Sequence, residues 1–327
     1  MPIVPVTWGI LSTADVNRKF LAGAREAQNA EVVAVASRDL AVARDYAGRH
    51  GIERAHGDYN ALLADPGVEA IYIPLPNSMH VEWTVRALEA GKHVLCEKPL
   101  SRHPAEVERA FEVAAREGRL LMEALMYRHN PQSARLTELL ADGAIGRVQM
   151  IRAAFSLVAD DPANVRLNAA LDGGALMDVG CYCVSSARLI AGEPLRVGAE
   201  AVLGGDGVDV AFAATLRFPG EVLAQIDAGL SLAARDELEV VGDEGSLFLD
   251  DPWHCVRPVI EVRRADGVER IELARVDSYR LEVENLSAAI RGEVAPLLGR
   301  DDALGQARTI EALYAAADRG ETVELSG

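Results

Sequence analysis

The sequence is short of lysine. Of 33 basic residues among 327, only Lys19, Lys92 and Lys98 are lysine; the others are arginine. Positive charge is itself outnumbered, because 50 Asp and Glu leave a formal net charge of −17. Nucleic acid and anionic bilayers both require a basic footprint, so neither is an expected partner. Cysteine is also scarce. Cys96, Cys181, Cys183 and Cys255 are too few for a disulfide scaffold, and a cytoplasmic protein with reduced thiols is expected. Cys181 and Cys183 stand two apart on a helical pattern with no His pair nearby, so no metal site is expected. No run of about 18 apolar residues is free of charge, which excludes a transmembrane helix. The N-terminal Met1-Pro2-Ile3-Val4-Pro5-Val6 has no basic region ahead of its apolar residues and does not read as a signal peptide.

What is present is apolar residues, 50% of the chain, enough for two cores at about 100–200 residues per domain. Up to residue 124 short β-branched runs alternate with amphipathic ones. Pro5–Leu11, Glu31–Ala36, Ala70–Ile73, His93–Glu97 and Arg119–Met122 read as strands; Asp15–Ala27, Ala41–His50, Val81–Ala90 and Ala105–Glu117 read as helices. That alternation predicts βαβ units, hence a doubly wound parallel sheet. Gly51, Gly91 and Gly118 fall just past helix ends, where a left-handed residue is easiest for Gly. After residue 125 strands follow one another from Val148 to Arg264, with helices over Gly174–Ala191, Tyr279–Arg291 and Asp301–Arg319. The expectation is α/β overall: a dinucleotide-binding domain over 1–124, then an α+β domain over 125–327 with a large, mostly antiparallel sheet.

The first strand-to-helix turn carries an incomplete phosphate-binding pattern. Gly9 suits its tight-turn position and Ala14 its helix-packing position, while Leu11 occupies the middle position where Gly is usual. Ser12 and Thr13 offer hydroxyls where helix N–H groups favour an anion. An ordinary turn has the same outline. The second strand ends in Ser37 and Arg38, with no carboxylate before Asp39. A hydroxyl beside a guanidinium suits a ribose 2′-phosphate, which favours NADP over NAD. A solvated loop arginine is the plain alternative.

Lys98 lies in Glu97-Lys98-Pro99 at the carboxyl edge of a strand, where open α/β sheets bind ligands. A lysine there, in a chain that otherwise uses arginine, suggests a task needing a compact charge that can lose its proton. Together with Ile73-Pro74-Leu75-Pro76-Asn77-Ser78-Met79-His80, Met122-Glu123-Ala124-Leu125-Met126-Tyr127-Arg128, Gly173-Gly174-Ala175-Leu176-Met177-Asp178-Val179-Gly180-Cys181-Tyr182 and Ala289-Ile290-Arg291-Gly292, this segment resembles the glucose-fructose oxidoreductase / inositol dehydrogenase / rhizopine catabolism family. The resemblance covers nearly the whole chain. It implies hydride transfer between NAD(P) and a sugar, cyclitol or related alcohol, and a C-terminal sheet used for assembly as a dimer or tetramer.

The same resemblance implies site roles. Lys98 would be the catalytic lysine, before a proline that is often cis in the family. Leu75, Pro76, Asn77, His80 and Glu97 would stand by the cofactor, although His80 also reads as a hydrogen-bonded loop residue. Asp178 and Tyr182, four apart, would share a helical face toward a common ligand. Many family members have His at the position of Tyr182; Tyr marks the branch resembling glucose-fructose oxidoreductase and dihydrodiol dehydrogenase. A phenol serves as acid or base when an ammonium such as that of Lys98 favours its phenolate. Arg166 is a candidate near cofactor or substrate, and Tyr279 a candidate for the sugar pocket. The expected function is an NADP-dependent sugar or polyol oxidoreductase. Dihydrodiol oxidation, redox-assisted glycoside cleavage and a non-catalytic dinucleotide-binding regulator are the alternatives.

Overall fold

The computed structural model describes residues 4–161 and 163–325, so Met1–Ile3 of the N-terminal reading lie outside the described residues. The chain divides into two compact units, Met1–Met126 with Asp277–Leu304, and Tyr127–Val276 with Gly305–Gly327. The first unit opens with β1 (Val6–Leu11), α1 (Asn17–Glu26), β2 (Ala30–Ala36), α2 (Leu40–His50), β3 (Arg54–His56), α3 (Tyr59–Leu63), β4 (Ala70–Ile73), α4 (His80–Glu89), β5 (His93–Glu97), α5 (Pro104–Glu117) and β6 (Leu121–Ala124). All strand pairs are parallel, in the order β3-β2-β1-β4-β5-β6. The topology is the expected doubly wound one, and the order reverses between β1 and β4, where such sheets leave a ligand crevice. β4 is buried at every residue, as a strand covered on both faces must be, which is why it reads as an unbroken apolar run. Gly51, Gly91 and Gly118 take φ of 66°, 78° and 61°, the left-handed geometry foreseen for them.

The second unit contains α6 (Pro131–Ala141), β7 (Val148–Val158), α7 (Cys181–Ala191), β8 (Arg196–Leu203), β9 (Asp209–Arg217), β10 (Leu223–Gly229), β11 (Ser231–Gly242), β12 (Ser246–Leu249), β13 (Val259–Arg264) and β14 (Gly267–Glu272). With the terminal β15 (Val323–Glu324) they form a nine-stranded sheet ordered β14-β13-β12-β11-β7-β10-β9-β8-β15. Its one parallel pair is β7 with β10. α7 packs on β7 and β10 from one face. The residues that alternate to the other face, among them Arg152, Thr215, Gln225, Glu237 and Glu239, line an open concavity of about 780 Å³.

After β14 the chain returns to the first unit with α8 (Ser278–Ile290) before α9 (Arg300–Arg319). This differs from the uninterrupted 125–327 domain read from sequence. The cause is a set of contacts that apolar periodicity does not encode. α8 lies so close to α1 that a Cβ on Gly23 would stand 2.4 Å from the Arg280 amide nitrogen. The Trp8 indole donates to Ser287 Oγ at 3.2 Å, and Asn29 donates to the Glu284 carbonyl at 2.9 Å. Arg291 donates to the Pro5 carbonyl and grips both oxygens of Glu69 at 2.7 and 2.9 Å.

That grip holds the Glu69 carboxyl down to about 2 from 4.5, with the Arg291 hydrogen bond as the largest cause. Its stabilising effect is present above about pH 4.5 and is lost as the pH falls toward 2. Arg291→Met therefore lowers the melting temperature by roughly 2–4 °C at pH 7, the pair being partly solvent-screened. In fluorimetric melts the gap from wild type narrows below pH 4.5; a constant gap across pH would contradict the pairing.

Candidate active site

Three chain turns meet the crevice edge of the first unit. The first follows β1. Leu11 is its last residue and fully buried, so the turn has only the backbone of Leu11 to offer. Gly9 lies inside the strand and does not turn the chain; a Cβ there would press on Leu62, Ile71 and Val68 at 3.0–3.1 Å. The residue that needs Gly-like freedom is Ser12, at φ 127°. Its hydroxyl accepts from the Ala14 amide at 3.2 Å and donates to the Pro74 carbonyl at 3.4 Å, joining the β1 and β4 turns. Thr13 and Ala14 are half-buried in the same turn, ahead of α1. At the end of β2, Ser37 is half-buried and Arg38 exposed. Asp39, the first carboxylate after the strand, caps α2 by accepting from Ala41 N at 2.7 Å.

The second turn follows β4. Leu75 is buried and Pro76 and Asn77 are half-exposed, but His80 is fully buried. One ring nitrogen stands 2.8 Å from the Pro99 carbonyl and the other 2.7 Å from the Leu75 carbonyl. Burial, with Lys98 as a lesser influence, lowers the ring to about 4, so a neutral imidazole donates one of these bonds. Enclosed between two carbonyls, the ring matches the other reading made of it, a hydrogen-bonded loop residue packed between two turns.

The third turn is Glu97-Lys98-Pro99-Leu100, with a cis Lys98–Pro99 bond. It is held from two strands and a helix. Tyr72 on β4 donates to Glu97 Oε1 at 2.6 Å, His80 holds the Pro99 carbonyl, and Glu123 on β6 accepts from the Leu100 amide at 2.7 Å. Lys98, half-exposed, is presented by this fixed turn at the carboxyl end of β5. Of the other lysines, Lys19 is exposed on α1, while Lys92 is buried and donates to the Asp65 and Val68 carbonyls at 2.7 Å. Scarcity alone therefore does not mark a reactive lysine, since Lys92 is architectural.

Behind Glu97 sits an acid that sequence reading passed over. Glu282 on α8 is fully buried, and neither carboxyl oxygen has a hydrogen-bond partner. Burial and then the charge of Glu97 push its pKa well above the usual carboxylate range. Tyr279, one turn earlier, belongs to the first unit beside Gly23, with its amide capped by Asp277 at 2.9 Å. A charged residue inside an otherwise apolar helical stripe is the signal that would have found Glu282.

The second unit holds the other candidates. Arg166 donates to Asp178 Oδ2 at 2.6 Å, so the carboxylate of Asp178 is already neutralised by a guanidinium. Asp178 sits in a π-helical turn, Leu176–Gly180, that leads into α7, in place of the regular helix expected from Gly174. Tyr182 is 7% exposed and surrounded by Tyr127, Phe155 and Trp253, with ring centroids at 5.9, 5.4 and 6.2 Å. The Cys181 and Cys183 thiols are buried and donate to the Asp178 and Asp227 carbonyls. One acidic cluster went unread, Asp236, Asp251 and His254, whose ligand atoms lie within 4.8 Å of one another. Its carboxylates accept from the Trp253 and Arg257 amides and from His254 itself. Among the described residues no helix is long and apolar enough to cross a membrane.

A doubly wound sheet with an open crevice and a lysine fixed at its edge defines a dinucleotide-dependent oxidoreductase. Residues 7–125 match the oxidoreductase family with an NAD-binding Rossmann fold, and residues 133–248 match the GFO/IDH/MocA C-terminal domain. The chain belongs to the Gfo/Idh/MocA family. It is 40% identical to an uncharacterised oxidoreductase of Rhizobium meliloti over 97% of this chain and 99% of the other. It is 38% identical to a D-xylose 1-dehydrogenase (NADP(+)) of Haloferax volcanii, with the same coverages. Among solved structures, a 3-ketoreductase from Actinomadura kijaniata in complex with NADP and TDP-benzene superposes with TM-score 0.90. It is 34% identical, over 95% of this chain and 98% of that one. The same reductase has been solved with one lysine and one tyrosine replaced.

The raised pKa of Glu282 makes a prediction about stability. The folded form retains a proton that the unfolded chain releases near pH 4.3, so stability falls as pH rises above about 4.3. Glu282→Gln keeps the shape without the ionisation. Its melting temperature should gain on wild type progressively between pH 5 and pH 8, and an unchanged or shrinking difference would refute a neutral Glu282.

Proposed function

We propose that this protein is an NADP-dependent oxidoreductase acting on a hydroxyl or ketone of a sugar or related polyol. The observation that carries this reading is the three-point anchorage of the Glu97–Leu100 turn, which fixes Lys98 at the crevice edge. In the Actinomadura reductase the replaced lysine and tyrosine stand as far apart along the chain as Lys98 and Tyr182 do here, which supports the same pair of roles. The xylose dehydrogenase and the 3-ketoreductase support the substrate class and the cofactor.

The turn residues fit a dinucleotide. Ser12, Thr13 and Ala14 would meet its phosphates, and Pro76 and Asn77 its nicotinamide end. Asp39 accepts from the first amides of α2, which leaves Ser37 and Arg38 to face the adenosine ribose. A guanidinium there favours a 2′-phosphate over a free hydroxyl. When bound, the cofactor supplies or takes up the hydride.

The chain's own residues would do the rest. In reduction, the Lys98 ammonium stabilises the negative charge that grows on the carbonyl oxygen. Tyr182 gives that oxygen its proton, and in oxidation takes it back. Arg166 holds Asp178 as a carboxylate oriented toward the substrate hydroxyls. The open face of the nine-stranded sheet, with arginines and acids interspersed, would pair with the same face of a second copy to form a dimer or tetramer.

A thermal-shift panel of NADP and NAD, each with pentoses, hexoses, inositols and keto sugars, identifies the ligands. Steady-state absorbance at the nicotinamide band then tests the chemistry. Lys98→Met and Tyr182→Phe should each lower kcat by about 10²–10⁴-fold. Equal turnover by Lys98→Met and wild type would sink the mechanism. Product formed with no net change in NADPH would instead favour redox-assisted cleavage. For the cofactor, Arg38→Ala should raise the KM for NADP by about tenfold and leave that for NAD within twofold; equal changes for both would remove the basis for NADP preference.

A further inference from the structure

Asp209, the first residue of β9, is 3% exposed and was not among the residues singled out from sequence. Its Oδ2 accepts from the Leu176 amide at 2.7 Å, and its Oδ1 accepts from the Tyr314 hydroxyl on α9 at 2.9 Å. Leu176 is the first residue of the π-helical turn that contains Asp178 and runs directly into the helix bearing Tyr182. That turn has no side-chain cap from its own N-terminal neighbour, Ala175. A carboxylate at this end satisfies an amide that otherwise lacks an intrahelical acceptor and complements the helix dipole.

The two glycines before the turn make this approach possible. Gly174 has φ 130°, and a Cβ on it would come within 2.2 Å of Asp209 Oδ1. A Cβ on Gly173 would meet the Arg166 carbonyl at 2.4 Å, and that carbonyl accepts from the Gly174 amide at 2.9 Å. Arg166 in turn holds Asp178 through its side chain. The Gly-Gly step therefore lets the backbone of Arg166 and the carboxylate of Asp209 bracket the start of the turn from two sides.

We propose that Asp209, braced by Tyr314, is a positioning residue that sets the placement of Asp178 and Tyr182 by anchoring the start of the turn that carries them. This rests on the catalytic roles proposed above for those two residues. Asp209 touches neither reacting atoms nor cofactor. It acts through Leu176. A displacement of catalytic groups by about 1 Å is worth about 10²-fold in rate, so the loss of the anchor is read chiefly in kcat.

The experiment compares Asp209→Ala, Asp209→Asn and Tyr314→Phe as full-length proteins. In hydrogen–deuterium exchange, Asp209→Ala should speed exchange of residues 174–182 about tenfold, with the β4–β6 segments of the first unit unchanged. Its kcat should fall about 10–100-fold while NADP affinity stays within twofold. Asp209→Asn keeps an acceptor for Leu176 and should restore kcat to within about fivefold of wild type. Tyr314→Phe leaves Asp209 in place and should show the same effects more weakly, which keeps the test decisive if the alanine variant does not fold. Wild-type exchange at 174–182 in both Asp209→Ala and Tyr314→Phe would overturn the anchor. So would a kcat loss accompanied by equal loss of NADP affinity. Asp178→Asn separates the two levels of inference. A large effect of Asp178→Asn with none from Asp209→Ala removes only the anchor, whereas no effect from Asp178→Asn removes the catalytic role itself.

Discussion

The hydrogen bonds that fix the Lys98–Pro99 turn are the constraint on which the role proposed for Lys98 depends. A lysine on a free loop samples many positions, and its charge is then screened and poorly aimed. Here the turn is held on either side of Lys98 by side chains from neighbouring elements: Tyr72 on β4, His80 at the start of α4, and Glu123 on β6. All three are buried, so their bonds to the turn face little competition from water. The doubly wound order makes this possible, because it places β4 and β6 directly beside β5. Topology thus supplies the rigidity that an aimed ammonium requires.

The second unit solves a related problem by a different route. Its candidate residues lie on a π-helical turn and the helix that follows, and the first amides of such a start have no acceptor within the helix. Restraint comes from outside the helix: Asp209 from the sheet, Tyr314 from α9, and Arg166 from the preceding loop. Tyr182 is restrained by packing, among three other aromatic rings. Lys98 is therefore fixed by hydrogen bonds to a backbone turn, and Asp178 and Tyr182 by a capped helix start and surrounding aromatic rings.

Much of this was legible in the sequence. The alternation of β-branched and amphipathic runs identified the parallel sheet, because buried strands and surface helices have different apolar periods. Glu97-Lys98-Pro99 and Gly173-Gly174 marked the two segments around which the candidate sites are built. What was not legible depends on partners distant in sequence. His80 looked like a cofactor contact because its motif lies at the crevice, yet its ring is occupied by two carbonyls that only the fold brings to it. Gly9 looked like the turn glycine, but the turn's unusual φ belongs to Ser12. Asp209 carries no local pattern, and Glu282 only that of an acid within a helical stripe. Their importance is that they are buried, and burial of a single acid is a property of the tertiary structure.

The return of Asp277–Leu304 to the first unit, followed by Gly305–Gly327 to the second, builds each unit from two separate stretches of chain. About half the sequence is enclosed between the last strand of the parallel sheet and the helix that completes its packing. Until that helix emerges from the ribosome, Trp8 lacks its hydrogen-bond partner and the close face around Gly23 is uncovered. The first unit, although begun first, is therefore complete only at Leu304, and the second only after Gly305–Gly327 has followed. Closing so long a loop costs conformational entropy, although the cost grows only slowly with length. A cut at the apparent boundary after residue 126 would yield a sheet with an open flank and not an independent cofactor module.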